Sequence, residues 1–146
     1  MSWFGNPYDR CMDANAAARA WVDAWTRSWR AKDPELLRPV YAENVTFRSH
    51  PFRETQPPLE YAAWAYEDEE GDPEVWMGEP LVVGNTAAVE YWAVVVENGE
   101  RVSIAGTEWL RFDDDGRVVE EHGYWSTTPG RTPPWEGWGR YFSAVT

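Results

Sequence analysis

The sequence is poor in cysteine and in basic residues, and each shortage excludes a class of function. Cys11 is the single cysteine, so no disulfide can form within the chain and nothing requires an oxidising compartment. Thirteen Lys and Arg residues stand against 25 Asp and Glu, which gives a formal net charge of -12. Such a charge repels nucleic-acid phosphates and anionic membrane surfaces. We therefore expect no nucleic-acid partner and no membrane partner.

Long hydrophobic runs and cofactor motifs are also missing. No segment approaches the roughly 18 consecutive apolar residues of a membrane-spanning helix. The start, MSWFGNPYDR, lacks the basic cluster and apolar run of a signal peptide. The chain has no HxxxH motif, no cysteine cluster and no glycine-rich phosphate loop. We expect a cytoplasmic protein with no metal and no other cofactor.

Aromatic residues, in contrast, are abundant. The chain has 11 Trp, 7 Tyr and 5 Phe among 146 residues, although its mean hydropathy is low at -0.63. Large rings bury much area while keeping a polar tip, so they suit cores, dimer interfaces and pocket walls alike. The length fits one domain, and we interpret residues 1–146 as a single domain.

Helical spacing dominates the first half of the chain. Apolar residues over 14–31 recur at the period of an amphipathic helix. Asp33 and Pro34 are typical of a helix start, and they predict a short second helix that ends near Tyr41. A third helix is predicted from Pro57 or Pro58 to about residue 70. Between the last two, NVTFRSH alternates as a strand would until a proline interrupts it.

After Pro73 the apolar period changes to two. Four predicted strands, VWMGEPLVVG, TAAVEYWAVVVENG, RVSIAGTEWLRFDDDG and RVVEEHGYWST, are separated by Gly84-Asn85, Asn98-Gly99 and Asp115-Gly116, which are hairpin-turn dipeptides. This order predicts an α+β fold with N-terminal helices packed into a curved antiparallel sheet. Residues 129–146 are predicted to form a packed tail, because water is a costly environment for their aromatic residues, Trp135, Trp138, Tyr141 and Phe142.

The same order carries a family resemblance. AWVDAW in the long helix, DPELL, YAENVTF, VGNTAAVEYW and LRFDDDGRVVE together resemble the NTF2-like superfamily, specifically its SnoaL-like branch, over about residues 14–128. The resemblance implies a cone-shaped (cystatin-like) barrel whose bent sheet wraps the long helix, often as a homodimer packed through the outer sheet face. We expect Tyr91, Trp109 and Tyr124 on that face. Members include ketosteroid isomerases, polyketide cyclases, limonene epoxide hydrolases, scytalone dehydratases and non-catalytic proteins, so the fold does not decide the chemistry.

Strand alternation predicts which side chains line the cone. Leu110 and Phe112 indicate that Glu108 faces inward. On the preceding strand neither face is clearly more polar, and the family pattern favours Glu90 and Trp92 as inward residues. On the last strand we favour the inward set Val119, Glu121, Gly123 and Trp125 over the set that contains His122, although we expect Glu121 on a solvated face.

Residues 48–53 hold the first candidate chemistry. In ketosteroid isomerases the general base is an acidic residue followed by proline at the end of the first strand, and His50 with Pro51 occupies a similar place here. Histidine can move protons near neutral pH, or it can simply donate to a carbonyl where the strand turns. Arg48 and Arg53 flank it, and they can bind a substrate carboxylate or enolate, or pair with glutamates.

Glu90 and Glu108 are the candidate acid partners. Burial among aromatic rings raises the pKa of a carboxyl into a useful range, whereas pairing with arginine keeps it ionised and inert. We predict a cofactor-independent isomerase, cyclase or dehydratase that acts on a small hydrophobic molecule by proton transfer, with Tyr61, Trp92 and Trp125 as pocket walls. The alternative is a non-catalytic ligand-binding or regulatory protein.

Two departures from the family limit the choice of reaction. When the elements are matched in order, Glu90 and Trp92 stand where the epoxide hydrolase has an arginine and its first aspartate. Gly123 stands where that enzyme has its second aspartate. Tryptophans of the first helix stand where the isomerase has its oxyanion-hole tyrosine. Both observations disfavour those particular mechanisms.

Overall fold

The computed structural model describes residues 12–141, so Cys11 and Phe142 lie outside the described residues. The elements along the chain are α1 (Ala14–Ala31), a 3₁₀ helix (Pro34–Val40), β1 (Tyr41–Arg48), α2 (Pro58–Glu67), β2 (Glu69–Met77), β3 (Leu81–Val83), β4 (Thr86–Glu97), β5 (Glu100–Phe112) and β6 (Val118–Pro129). None of the helices in this part of the chain has the length and apolar character needed to cross a bilayer.

The long first helix has the bounds that its apolar period predicts. Asp13 caps its start by accepting from the backbone N–H groups of Asn15 and Ala16 at 3.0 and 3.2 Å. Its apolar side is buried against the sheet. The second predicted helix forms as a 3₁₀ helix, which Asp33 begins by accepting from a backbone N–H within its first turn.

The six strands form one sheet in the order β1-β6-β5-β4-β2, with β3 also paired to β4. All pairs are antiparallel except β1 with β6, which is parallel, so the sheet is mixed rather than wholly antiparallel. VWMGEPLVVG, predicted as one strand, contributes to two, β2 and β3, and β2 already begins at Glu69. The predicted turn dipeptides do connect β3 to β4, β4 to β5 and β5 to β6.

The helices cover the concave face of the sheet, and strand register decides which residues point to them. From Thr86 to Ala93 of β4 the buried residues alternate and are Ala87, Val89, Tyr91 and Ala93, whereas the following Val94 and Val95 are both buried. Val89 lies opposite Glu108 and Tyr91 opposite Gly106, so these β4 residues share a face with the inward residues of β5. The prediction that Glu90 and Trp92 face inward is therefore wrong, and so is the placement of Tyr91 on the outer face.

The C-terminal tail explains why Trp92 looks like a core residue. The tail folds back over the outer face of β4, where the Trp92 indole donates to the Thr132 carbonyl at 2.7 Å. The rings of Trp135 and Trp138 stand edge-on to it at 5.8 and 6.0 Å. The predicted tail packing is confirmed for Trp138, whereas Trp135 stays 65% exposed.

Candidate active site

Two glutamates lie side by side inside the cone. Glu108 on β5 is opposite Gly123 of β6, and Glu121 of β6 is opposite Leu110, so the glutamates are diagonal neighbours on the inward face. Glu108 is 9% exposed and Glu121 is 1% exposed. Each carboxyl acts on the pKa of the other, so the two groups lie close together. The inward prediction for Glu108 is confirmed, whereas the solvated surface expected for Glu121 is wrong.

A glycine provides the space for this pair. A Cβ atom added at Gly123 would lie 2.8 Å from Oε1 of Glu108 and 2.6 Å from the carbonyl oxygen of Ser49. Both distances are shorter than any relaxed contact. The absence of a side chain at Gly123 therefore lets the Glu108 carboxyl lie flat against β6, next to the turn that follows β1.

Aromatic donors hold Glu121 in place. The Tyr41 hydroxyl donates to its Oε1 at 2.6 Å, and the Trp21 indole N–H donates to the same oxygen at 3.0 Å. The indole of Trp25, one helical turn further along α1, donates to the Tyr41 hydroxyl at 2.8 Å. Because α1 and the start of β1 fix these donors, the orientation of the Glu121 carboxyl is determined before any ligand arrives.

Burial gives the two carboxyls unusual protonation states. It raises the pKa of Glu108 well above its ordinary value, and the negative charge of Glu121 raises that pKa further. Burial also raises the pKa of Glu121, to about 7, while hydrogen bonds from Tyr41, Trp21 and Glu108 limit the rise. Glu108 is thus the carboxyl that keeps its proton to higher pH, and Glu121 is the one that ionises first.

The hydrogen-bond inventory agrees with one proton held between the two groups. Oε2 of Glu108 and Oε2 of Glu121 are the carboxyl oxygens, within the described residues, that are buried without another partner. A buried polar atom without a partner costs about 1–3 kcal/mol, so a proton on at least one of the two carboxyls is favoured. The pair therefore holds at least one proton near neutral pH, and Glu121 ionises around that pH.

A tyrosine and an arginine lie next to the pair. Burial raises the pKa of Tyr61 to about 12; the charge of Glu108 raises it, and Arg53 opposes both effects. The Arg53 guanidinium lies between the rings of Trp64 and Trp125, at 5.3 and 5.1 Å from their centroids. Tyr61 thus remains a neutral O–H donor next to a cation.

The arginines do not neutralise the glutamates. Arg48 donates to the backbone carbonyl of Arg53, and Arg53 donates to the Ser49 hydroxyl at 3.3 Å. Within the described residues neither arginine forms an ion pair with Glu90 or Glu108. The alternative in which an arginine keeps Glu108 ionised and inert is therefore not what the structure shows.

His50 lies in the turn after β1, outside this hydrogen-bonded cluster. Its Nδ1 accepts from the Phe52 backbone N–H at 3.3 Å, and its ring stands edge-on to Trp125 with centroids 4.9 Å apart. Trp125 itself donates to the Ser49 carbonyl at 2.6 Å. The structure brings His50 next to Trp125 and not into hydrogen-bonding contact with Glu108. A catalytic role for His50 stays a prediction.

Glu90 and Trp92 are not part of the cluster, because both lie on the opposite face of the sheet. Strand alternation correctly predicted that Glu121 faces inward, whereas the expectation of a solvated carboxyl there was wrong. Its membership of the inward set on β6 was the signal that pointed to this site residue. A register shift between Arg111 and Phe112 puts Val118 rather than Val119 in the buried position and keeps Glu121 inward.

A cavity of about 60 Å³ opens beside Tyr61. Its lining residues are Trp25, Trp29, Tyr61, Ala65, Tyr66, Glu69, Met77 and Tyr91. The charge of Glu108 acts on the pKa of the Tyr61 and Tyr91 hydroxyls, so the carboxyl pair lies near this cavity although neither glutamate lines it. Of the three predicted pocket walls, Tyr61 lines this cavity, while Trp92 and Trp125 do not.

Within residues 12–141 no three His, Cys, Asp or Glu side chains come together as a metal site would require. The described cluster can transfer protons and form hydrogen bonds. A curved sheet wrapped around a long helix, with ionisable groups enclosed between them, defines an α+β protein of the NTF2-like fold. The chain belongs to the SnoaL-like domain family, which it matches over residues 18–121. Both Glu108 and Glu121 lie within that span.

Solved structures share the fold at low sequence identity. An LEH-like epoxide hydrolase of M. tuberculosis is 14% identical with a TM-score of 0.60, covering 77% of this chain and 82% of its own. SalBIII, an epoxide hydrolase/cyclase-like enzyme in pyran ring formation in polyether salinomycin, is 15% identical with a TM-score of 0.66, covering 78% and 93%. A hypothetical protein with a ketosteroid isomerase-like fold from Catenulispora acidiphila, in complex with trimethylamine, is 17% identical with a TM-score of 0.62, covering 70% and 82%. Comparison with curated protein sequences finds no match. These likenesses show the fold alone.

Proposed function

We propose that this protein is an enzyme that moves protons on a small, largely apolar substrate, with Glu108 and Glu121 as its acid–base pair. The observation that supports this most is a buried carboxyl pair in which burial raises both pKa values, that of Glu121 to about 7, close to Tyr61, which also lines a cavity. General acid–base catalysts work best when their pKa lies near the operating pH. Two carboxyls that share a site and differ in protonation divide naturally into acid and base.

The difference in exposure between Glu108 and Glu121 indicates which of them meets the substrate. Glu108 retains some accessible surface, whereas Glu121 is enclosed and its Oε1 already accepts from Tyr41 and Trp21. Glu108 is thus the group that meets the substrate, and Glu121 is the group behind it. Glu108 can pass its proton to Glu121 while it takes a proton from a substrate C–H or O–H group. The negative charge then moves from Glu121 to the substrate.

The return transfer restores the enzyme. Glu121 gives its proton back to Glu108, and Glu108 delivers one to a different atom of the substrate. Proton removal at one atom and delivery at another gives an isomerisation; delivery to a leaving oxygen gives a cyclisation or a dehydration. No proton is gained or lost by the pair over the full cycle.

Negative charge that develops on a substrate oxygen would be stabilised by hydrogen-bond donors that lie nearby. Tyr61 offers a neutral O–H and Arg53 a fixed positive charge, and the rings of Trp64 and Trp125 hold that charge in place. Donors that are already oriented stabilise a developing oxyanion without reorganisation. We assign Tyr61 and Arg53 to this role; Arg48, which holds the Arg53 backbone, positions it.

The test compares two glutamates on opposite faces of the sheet. Wild type, Glu108→Gln and Glu90→Gln would be assayed with a panel of small epoxides, hydroxy-epoxides and unsaturated ketones. We expect Glu108→Gln to lower kcat by about 10²-fold or more, since general acid–base catalysis is typically worth that much. Glu90→Gln should retain wild-type turnover. Equal turnover by wild type and Glu108→Gln would overturn the assignment.

A second candidate function, ligand binding without turnover, is favoured by one observation. The cavity of about 60 Å³ is small for a substrate enclosed whole. Saturable binding of a panel compound with no product formed by wild type would support this candidate over the first.

A further inference from the structure

The cavity beside Tyr61 is built mainly from aromatic rings. Five of its eight lining residues are aromatic, and the others are Ala65, Met77 and Glu69. We call this cavity the aromatic cage. The face of an aromatic ring carries the negative part of its quadrupole, and a group of such rings attracts an organic cation.

Glu69 adds a carboxylate to the rim of the cage. The Trp29 indole donates to its two oxygens at 2.8 and 3.1 Å, which fixes the carboxylate beside the rings. The Glu108–Glu121 pair adds negative charge behind Tyr61 and Tyr91, where the charge of Arg53 opposes its effect. No lining residue of the cage is cationic. The local charge therefore favours a cation over an anion.

The cations nearest in sequence and space are occupied elsewhere. Lys32 donates to the Gly71 carbonyl at 2.6 Å. Arg53 is stacked between Trp64 and Trp125 and does not line the cage. Neither side chain lines the cage, although the charge of Lys32 acts on Glu69 from outside it, so the walls are acidic and aromatic.

The volume of the cage fits a small group. A water molecule needs about 10–15 Å³ of such space, so the cage holds about four or five waters. Trimethylammonium has a similar number of heavy atoms. Because the walls are apolar apart from Glu69, a bound cation would lose few hydrogen bonds if it is alkylated, whereas a bare ammonium would lose many.

We propose that the aromatic cage binds an alkylammonium group, so that the ligand of this site is a tertiary or quaternary amine. The proposal rests on the proposed function only where it identifies this ligand with the substrate. In that case the ammonium group lies in the cage and the reacting atoms extend past Tyr61 towards Glu108. Binding itself requires no turnover.

The experiment compares a cation with its neutral isostere. Choline and 3,3-dimethylbutan-1-ol have the same shape and differ in one charged atom. Both would be titrated into the full chain by calorimetry, with tryptophan fluorescence as a second signal. We expect choline to bind about 3- to 30-fold more tightly than the alcohol, because a cation–π site is worth about 0.5–2 kcal/mol.

Variants of the cage residues test whether the preference for choline comes from the cage. Glu69→Gln keeps an acceptor for Trp29 and removes the charge, so it should weaken choline several-fold and leave the alcohol unchanged. Trp29→Leu should also weaken choline more than the alcohol. Glu90→Gln, on the other face of the sheet, is the matched control and should change neither affinity. Equal affinity for the two probes, or no binding of choline at millimolar concentration, would overturn the proposal.

The outcome separates the cage from the catalysis. Choline binding that survives in Glu108→Gln, together with no turnover by wild type on any amine or neutral panel substrate, would leave the cage standing and remove the proposed function. Turnover of neutral substrates that depends on Glu108, without choline binding, would do the reverse.

Discussion

Glu108 and Glu121 have the same side chain, yet their neighbours give them different states. Glu121 receives hydrogen bonds from Tyr41 and Trp21 and keeps its charge, while Glu108 lies against Gly123 without a cationic partner. The difference comes from packing and not from sequence context. Residues 80 and 100 positions away in the chain supply the donors to Glu121.

The raised pKa values make stability depend on pH in an unusual direction. A carboxyl whose folded pKa is raised binds its proton more tightly in the folded state, so its contribution is present at low pH and is lost as pH rises. For Glu121 this loss occurs between its ordinary value of 4.5 and its folded value of about 7. We expect the free energy of unfolding to fall by about 1–3 kcal/mol from pH 5 to pH 8.

Urea unfolding followed by circular dichroism at a series of pH values measures this dependence. Glu121→Gln should make the slope shallower, because one of the two buried titrating groups is gone. Glu90→Gln should keep the wild-type slope. Stability that is constant or rises from pH 5 to pH 8 in wild type would contradict the shared-proton description.

At the scale of elements, strand β6 positions the site. Its register with β5 sets Glu121 and Gly123 on the inward face, beside Glu108. Its parallel pairing with β1 brings the turn at Ser49 against Gly123. A β strand with a glycine at this position gives the carboxyl pair room and brings the Arg53 turn close to it.

Gly123→Ala should therefore damage both stability and activity. The added methyl would overlap the Ser49 carbonyl and the Glu108 carboxyl, and overpacking of this kind typically costs about 1–3 kcal/mol. Thermal unfolding and kcat measure the two effects. Ser126→Ala is the control, because Ser126 lies on the same strand with an exposed side chain. If Gly123→Ala matches wild type in both measurements, the close packing around Glu108 is not as described.

Much of the element order can be predicted from the sequence, and the side-chain directions only in part. The 14–31 helix and the hairpin turns follow from local signals, namely the apolar period and the glycine-containing dipeptides. The inward face of β4 does not, because Trp92 is covered on the outer side by the tail. When a strand is buried on both faces, the alternation of apolar and polar residues does not show which face points to the core. The state of Glu121 likewise depends on contacts from distant elements.

At the scale of the whole molecule, the tail leaves one half of the outer sheet face open. The tail covers Trp92 on β4, and its last hydrogen bonds lie near β2. On β5 and β6 the rings of Trp109 and His122 stack on each other with their centroids 5.2 Å apart. Tyr124 beside them is 53% exposed. We propose that the chain forms a homodimer through this half, with Trp109 and Tyr124, and without Tyr91.

Light scattering at micromolar concentration tests the dimer. We expect wild type to have the mass of two chains and Tyr124→Arg to shift towards one, because a charge buried in an interface is costly. Val83→Arg, an exposed position on β3, is the matched control and should keep the wild-type mass. A monomeric wild type at that concentration would count against the proposal.

The protonation of the carboxyl pair is the central claim, and the most direct measurement is a pH titration of glutamate side-chain ¹³C signals by NMR, with Glu108→Gln and Glu121→Gln used for assignment. We expect one carboxyl to titrate with a midpoint near pH 7 and the other to stay protonated well above the ordinary value. If both carboxyls titrate near 4.5, the ordinary value of a glutamate, the two groups share no proton and the proposed acid–base pair does not exist.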